Sequence, residues 1–281
     1  MQKTKVVHLT IVHKRYDSRI FCKECISLSE AGYDVSLIVA DGLGNETKQG
    51  VKIIDVGRAE ASRIKRMIRT SRKAVDLALG MNADIYHFHD PDLLIEALRL
   101  RKKACVIFDS HEDFPALMKQ RDYIPDFARK VLFRLCTLIE KYSAKRLSAV
   151  VCATETIQDK FARYGNIRAV VVKNYPVFSS CESETTNSYD TMKPVCYVGG
   201  LTALRGVKEM VEACNKAGVK LLLAGEFDNQ AYFEQIKAMP EWRNVEFLGY
   251  VPTSQVREKV YNRSSVGLVL LHKAPNHTHS I

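Results

Sequence analysis

The sequence offers no disulfide framework, no metal-spaced array of Cys and His, and no leader-like N-terminus. Its eight cysteines stand at 22, 25, 105, 136, 152, 181, 196 and 214, and Cys105, Cys152 and Cys196 lie inside apolar runs, where cysteine behaves as a small hydrophobe. Cys22 and Cys25 make a Cys-x-x-Cys pair without a second pair beside it. Phe21 to Ile26 continues a helical pattern, so both read as ordinary helix residues. The run Val6 to Val12 is short, interrupted by His8 and Thr10 and closed by Lys14 and Arg15, unlike a signal peptide or a spanning helix; the expectation is a cytoplasmic protein. Acid is also in short supply. Against 42 Lys and Arg there are 32 Asp and Glu, a net charge of +10, which points to nucleic acid, an anionic membrane surface or a phosphate-bearing substrate. Nucleic acid is the weakest of the three, because the basic stretch has no interleaved aromatics and no recognition motif follows it.

What is present is a long alternation of apolar runs and amphipathic stretches. With 46% hydrophobic and 26% charged residues in 281, the chain can form two packed domains. Strands are expected at Val6 to Val12, Val35 to Ala40, Val51 to Val56, Asp84 to Phe88, Cys105 to Asp109, Ala149 to Ala153 and Ala169 to Val172. Helices are expected at Arg19 to Ala31, closed by Gly32; at Ala59 to Leu79, closed by Gly80; at Pro91 to Leu100; and at Asp126 to Arg146. That order implies an α/β fold, a doubly wound parallel sheet with helices on both faces. The composition then breaks: residues 174–193 have almost nothing to bury, which separates a first domain at 1–173 from a second at 194–281. In the second, strands are expected at Val195 to Val198, Lys220 to Ala224, Val245 to Leu248 and Val266 to Leu271, with helices at Val207 to Ala217, Gln230 to Met239 and Thr253 to Tyr261.

Chemistry in such sheets gathers at the carboxyl ends of strands. Three polar clusters fall there: His13 to Arg19, including Asp17; His87-Phe88-His89-Asp90-Pro91-Asp92; and Asp109-Ser110-His111-Glu112-Asp113. Each alone could be a capped strand-end loop, but all three would face one crevice. A metal site is not expected. His87 and His89 alternate around Phe88, so only the one nearer the strand end would reach the crevice, and further ligands would have to come from other strands. In the second domain, Tyr197-Val198-Gly199-Gly200-Leu201 runs through a glycine turn to Arg205-Gly206 and a helix. This is either a structural turn or a diphosphate site built from helix amides and one guanidinium.

Taken together, Asp17-Ser18-Arg19-Ile20-Phe21, Tyr86 to Leu93, Phe108 to Asp113, Val172 to Pro176, Tyr197 to Leu201 with Arg205-Gly206, Leu223-Ala224-Gly225 and Phe247 to Val251 resemble the retaining glycosyltransferases of family 4, with the GT-B fold of two Rossmann-like domains. The resemblance is strongest to bacterial members that build capsule, exopolysaccharide or lipopolysaccharide. It implies transfer of a sugar from a nucleotide-sugar donor, held by the second domain, to a glycan or lipid-linked acceptor on the first, with no cofactor. His111 matches a histidine placed near the transferred sugar. Asp17, Arg19, His89, Asp90 and Glu112 fall on the acceptor and sugar side, and Gly199, Gly200, Arg205, Gly206, Tyr250 and Val251 on the donor side. Arg205 stands where the family usually has a Lys for the diphosphate, and Gly200 where many members have an Arg. The first loop lacks the family's common glycine-rich turn. Family members continue past a segment like Gly267 to Leu271 into a helix with two donor-holding glutamates, so the expectation is an incomplete second domain, exposed apolar faces there and impaired activity.

The charge is concentrated between Arg58 and Lys73, with seven basic residues against Glu60 alone and with Ile64, Met67, Ile68 and Val75 at helical spacing. Such a helix either lies on an anionic leaflet, which would make the protein a peripheral membrane one, or packs its apolar stripe on the sheet. Two other function classes stand beside the transferase: a GT-B nucleotide-sugar epimerase and a non-catalytic remnant or binding module.

Overall fold

The computed structural model describes residues 3–118, 125–175 and 193–273. The chain divides into two compact units, Met1–Phe178 and Ser179–Ile281. Residues 176–192, which carry most of the expected linker, lie outside the described residues, as does the His277 to Ile281 tail.

The first unit is built on an eight-stranded sheet in the order β3-β4-β2-β1-β5-β6-β7-β8. Its strands are β1 (Lys5–Leu9), β2 (Asp34–Val39), β3 (Glu46–Lys48), β4 (Val51–Asp55), β5 (Ile85–Phe88), β6 (Cys105–Ser110), β7 (Ala149–Cys152) and β8 (Ala169–Val171). All pairs are parallel except β3 with β4, a short antiparallel edge that the apolar pattern did not signal because Glu46, Thr47 and Lys48 are polar. Strand order reverses at β1. From there the chain winds outward to β2 and β4, then returns to start again at β5 on the other side. The switch point between β1 and β5 is where an open α/β sheet leaves a crevice.

The two faces of the central strands differ sharply. With a side-chain period of two, Val7, Leu9, Tyr86, Phe88, Val106 and Phe108 enter one apolar cluster together with Ala74, Val75, Ile157 and Phe161. The alternate residues on these strands include His8, His87 and Asp109, continued by His89 just past β5, all buried. Helix α1 covers this second face. It opens as a widened helical turn, Ile20–Cys25, continues as a regular helix, Ile26–Glu30, and packs Ile20, Phe21 and Cys25 on Val35, Leu37 and Val51. Cys22 is exposed and Cys25 buried, both free thiols on one helix, in keeping with their reading as helix residues.

Several boundaries differ from expectation for local reasons. β1 stops at Leu9 rather than Val12, because the amides of Ile11 and Val12 turn to Asp90 Oδ2. The basic helix α2 starts at Arg63 (Arg63–Lys65, Arg66–Thr70 and Ser71–Met81), and Asn82, in the left-handed region at φ 47°, ends it; Gly80 lies inside. The segment after Pro91 forms two 3-10 turns, Pro91–Leu93 and Glu96–Lys102, instead of one α-helix. Helices α3 (Phe114–Leu117), α4 (Asp126–Ala144) and α5 (Glu155–Arg163) complete the unit, with Thr154 capping α5 by accepting from the Ile157 amide.

The second unit has four parallel strands, β9 (Val195–Val198), β10 (Leu221–Ala224), β11 (Val245–Gly249) and β12 (Val266–Gly267), in the order β11-β10-β9-β12. Helices α6 (Val207–Lys216), α7 (Gln230–Lys237) and α8 (Thr253–Lys259) lie between them. The strand expected to reach Leu271 ends at Gly267. Beyond it Leu268 N still donates to Cys196 O and His272 N to Leu204 O, while Val266 and Val269 are exposed at this edge.

Candidate active site

The switch-point crevice in the first unit holds a cavity of about 370 Å³. It is lined by the strand-end residues Val12, His13, His89, Asp90, His111 and Glu112, with Arg63 and Arg66 of α2 and with Phe114, Leu117 and Met118, Arg63 lying over the Phe114 ring at 4.9 Å. The three polar clusters therefore meet, because β1, β5 and β6 are neighbours.

Asp90 is buried and shapes the crevice wall. Its Oδ2 accepts from Thr10 Oγ1 at 3.0 Å and from the Ile11 and Val12 amides, and its Oδ1 receives His13 Nδ1 at 2.7 Å. Burial opposes the charge on Asp90, but His13 and the Ile11 amide outweigh it and hold the carboxyl below its usual range. The same pairing raises His13 against its own burial. Arg63 and Arg66 both reach Asp92, at 3.1 and 2.9 Å, so two of the seven basic residues of the 58–73 segment turn into the crevice.

Asp109 is the pillar behind it. Arg19 grips it with two parallel bonds, Nε to Oδ2 and an η nitrogen to Oδ1, both 2.8 Å, while His111 Nε2 and His89 Nδ1 approach Oδ2 at 2.8 and 3.2 Å. Burial alone would raise this carboxyl; the bonds from His111, His89 and Arg19 win and hold it well below the usual range. As an ionised carboxylate only accepts, His111 must donate through Nε2, which in the neutral ring leaves Nδ1 as an acceptor. His111 is partly exposed at the cavity wall.

Two expected contact residues have other duties. Arg19, expected on the acceptor side, is buried between Asp109 and the Val172 carbonyl, which its guanidinium bonds at 2.9 Å, and does not line the cavity. Asp17 caps α1: its Oδ1 accepts from the Arg19 and Ile20 amides at 2.8 and 3.0 Å. Both act by positioning. His89, Asp90, His111 and Glu112 do line the cavity.

Two residues that the sequence reading left out join the buried layer. His8 Nδ1 lies 3.0 Å from His89 Nε2, and Glu24 stands 3.9 Å from both His87 Nδ1 and His89 Nε2. Glu24 shares the sheet-facing side of α1 with Ile20 and Phe21, so a charge at a core position was its signal in the sequence. Burial, then Asp109, push its carboxyl up to about 9 in spite of Arg19 at 3.1 Å, whose Nε hydrogen is directed to Asp109. Burial also lowers His8, His89 and His87, the last to about 3, so all three rings are neutral at physiological pH.

In the second unit, the β9 turn, the β10 turn and the end of β11 lie side by side. Gly199 N donates to Ala224 O at 3.0 Å and Gly225 N to Gly249 O at 2.8 Å. Gly206, at φ 63°, joins a 3-10 turn (Ala203–Arg205) to α6 with no side-chain cap on the helix. That leaves first-turn amides beside the exposed guanidinium of Arg205, the composition of an anion site. Tyr250 is exposed and Val251 half-buried just past β11.

The sequence profile of Glycosyltransferase Family 4 matches residues 23–174. No curated protein sequence matches the chain. Among solved structures it is similar to sucrose-phosphate synthase from Thermosynechococcus elongatus, at 14% identity and a TM-score of 0.69 over 97% of this chain and 77% of that one. It is also similar to WaaG, a glycosyltransferase involved in lipopolysaccharide biosynthesis, at 10% identity and 0.69 over 95% and 75% of the two chains. Anabaena HepE, solved with UDP-glucose, aligns at 13% identity and 0.61 over 88% and 69%. These likenesses establish the GT-B fold and, with the profile spanning more than half of the sequence, the chain belongs to glycosyltransferase family 4.

Proposed function

We propose that this chain is a retaining glycosyltransferase that moves a sugar from a nucleotide-sugar donor to a glycan or lipid-linked acceptor in the synthesis of cell-surface polysaccharide. The observation that carries the reading is His111, fixed by Asp109 at the wall of the switch-point cavity with one ring nitrogen left to accept from a sugar hydroxyl. Cleaving the bond between a sugar and a nucleoside diphosphate builds negative charge on the departing phosphate and positive charge on the sugar. Arg205 and the α6 amides would stabilise the first, and the polar cavity would hold acceptor and sugar. Gly199, Gly200 and Gly206 would let the backbone approach the diphosphate, and Tyr250 and Val251 would border the base. The reaction so drawn uses no cofactor besides the donor. HepE, a similar fold, binds UDP and UDP-glucose, which supports a nucleotide-sugar donor; WaaG supports the polysaccharide context. The family match does not favour the epimerase alternative.

Titrating UDP and UDP-glucose into the chain by calorimetry tests the donor half. Arg205→Ala is expected to weaken UDP binding about tenfold, the loss of one charge-assisted contact. An unchanged Kd would remove Arg205 from the site.

An anionic membrane surface is the proposed second partner, and α2 supports it. Ile64 and Ile68 are 71% and 60% exposed while Val75 is buried, so the apolar stripe splits and its N-terminal part faces outward among Lys65, Arg69 and Arg72. Helix α4 presents another exposed apolar row, Phe127, Val131, Leu135, Leu138 and Tyr142, next to Lys130 and Arg134. Among the described residues no helix is long and apolar enough to cross a membrane. The chain is expected to float with vesicles containing phosphatidylglycerol and not with neutral ones, and Ile64→Ser with Ile68→Ser to reduce flotation several-fold. Wild-type chain remaining with the unbound fraction on anionic vesicles would refute the membrane role.

A further inference from the structure

We propose that His8, Glu24, His87 and His89 form a binding site for a divalent transition-metal ion of the zinc type, enclosed between α1 and strands β1 and β5. Each of the four side chains offers a ligand atom, and these atoms all lie within 4.8 Å of one another. The individual approaches, 3.0 Å from His8 Nδ1 to His89 Nε2, a hydrogen bond whose proton the ion would replace, and 3.9 Å from Glu24 Oε2 to His87 Nδ1 and to His89 Nε2, bracket the edge of about 3.3 Å that a tetrahedron with zinc–nitrogen bonds of about 2.0–2.1 Å requires. The expectation against metal assumed that ligands would have to come from other strands. The register of β1 on β5, which sets His8 opposite His87, and the inward side of α1 supply them.

Unpartnered polar atoms concentrate in this group. Both Glu24 oxygens, with only Arg19 Nε at 3.1 Å from Oε1 and its hydrogen directed elsewhere, and the second ring nitrogens His8 Nε2 and His87 Nε2 are buried with no hydrogen-bond partner among the described residues, and a buried acid without a hydrogen bond is costly. A second cluster, His89 with Asp109 and His111, has comparable spacing but not this need: both Asp109 oxygens already accept from Arg19, and Oδ2 from both histidines. Asp109 instead acts as an outer partner. It accepts from His89 Nδ1, which fixes the ring so that the Nε2 lone pair faces the other three groups, the arrangement that orients a metal-bound histidine. Three imidazoles and a carboxyl group that gives up its proton on binding form an N₃O set suited to zinc, and four protein ligands leave no open position, so the ion would be structural. Bound there, it would clamp α1 to the two strands that carry the crevice. This inference is independent of the proposed donor and acceptor.

The test uses the untagged 281-residue chain in which His277→Ala and His279→Ala remove a second histidine pair. One equivalent of Co²⁺ is expected to give the intense visible spectrum of a tetrahedral site, to be displaced by one equivalent of Zn²⁺, and Zn²⁺ is expected to raise Tm by several degrees. Glu24→Gln and His87→Gln should each weaken Zn²⁺ binding at least about tenfold in a chelator competition. A folded chain that gives no Co²⁺ spectrum, or an octahedral one, overturns the proposal, as does an affinity unchanged in both variants. The first result needs no variant and stands even if the substitutions unfold the unit.

Discussion

Gly225→Ala is expected to destabilise the second unit by about 3 kcal/mol, the scale of severe overpacking against an element that cannot move. A Cβ built at Gly225 falls 1.8 Å from the carbonyl oxygen of Gly199, and φ is +147°. The obstacle is backbone, and it belongs to the turn whose amide is bound to Ala224 O, so relief on one side breaks the contact on the other. Gly218→Ala is the control. It too sits at positive φ, +70°, but nothing lies within 4 Å of the added carbon, so the cost should be about 1 kcal/mol. The protein's single tryptophan, Trp242, packs among Phe233 and Phe247 in this unit, so its fluorescence in a urea titration reports the unit directly. Equal midpoints for the two variants would mean that the glycine turns are not pressed together as described.

Asp109→Asn is expected to cost the first unit about 3–5 kcal/mol, the range for removing one partner of a buried ion pair. The amide has nearly the same shape, so packing is preserved and the loss is electrostatic. Arg19, only 4% exposed, would keep its charge with the Val172 carbonyl and Glu24 as its remaining partners. The amide's NH₂ would also face a donor from Arg19 or from His111, two hydrogens toward each other. Thermal unfolding followed by far-UV circular dichroism checks the size of the effect. The imidazole resonances of His111 and His89 should shift in the folded variant, since both rings lose the acceptor that fixes their tautomer. Stability within about 1 kcal/mol of the parent would remove Asp109 as the organising carboxylate.

Much of the first unit could be read from the pattern because buried parallel strands leave apolar runs that stay recognisable even where His8, His87 or Asp109 interrupts them. Only β3, polar and three residues long, left no such trace. Strand ends were harder. β1 stops where a side chain far along the sequence, that of Asp90, captures the next amides, and the apolar character of Ile11 and Val12 cannot reveal that. The site was legible to the extent that chemistry follows strand ends: His89, Asp90, His111 and Glu112 were expected there and line the cavity. Asp17 and Arg19 stood in the same loop as an apparent contact pair, yet a carboxylate two residues before its amide partner at a helix entry is a capping signature, and that is what Asp17 does. His8 and Glu24 escaped because their meaning depends on which strands are neighbours. A histidine interrupting an apolar run looks like a blemish until β5 is set beside β1.

The split between the apolar and polar faces of the central strands also bears on how reliably this sheet assembles. A slip of β5 by one residue against β1 would turn Phe88 toward Glu24 and Arg19, and would drive His87 and His89 into the cluster that holds Tyr86, Phe88 and Phe108. Strands that are oily on both sides would tolerate such a shift at small cost. Here a one-residue misalignment strands ionisable groups in hydrocarbon, so the layer that shapes the crevice also proofreads the sheet.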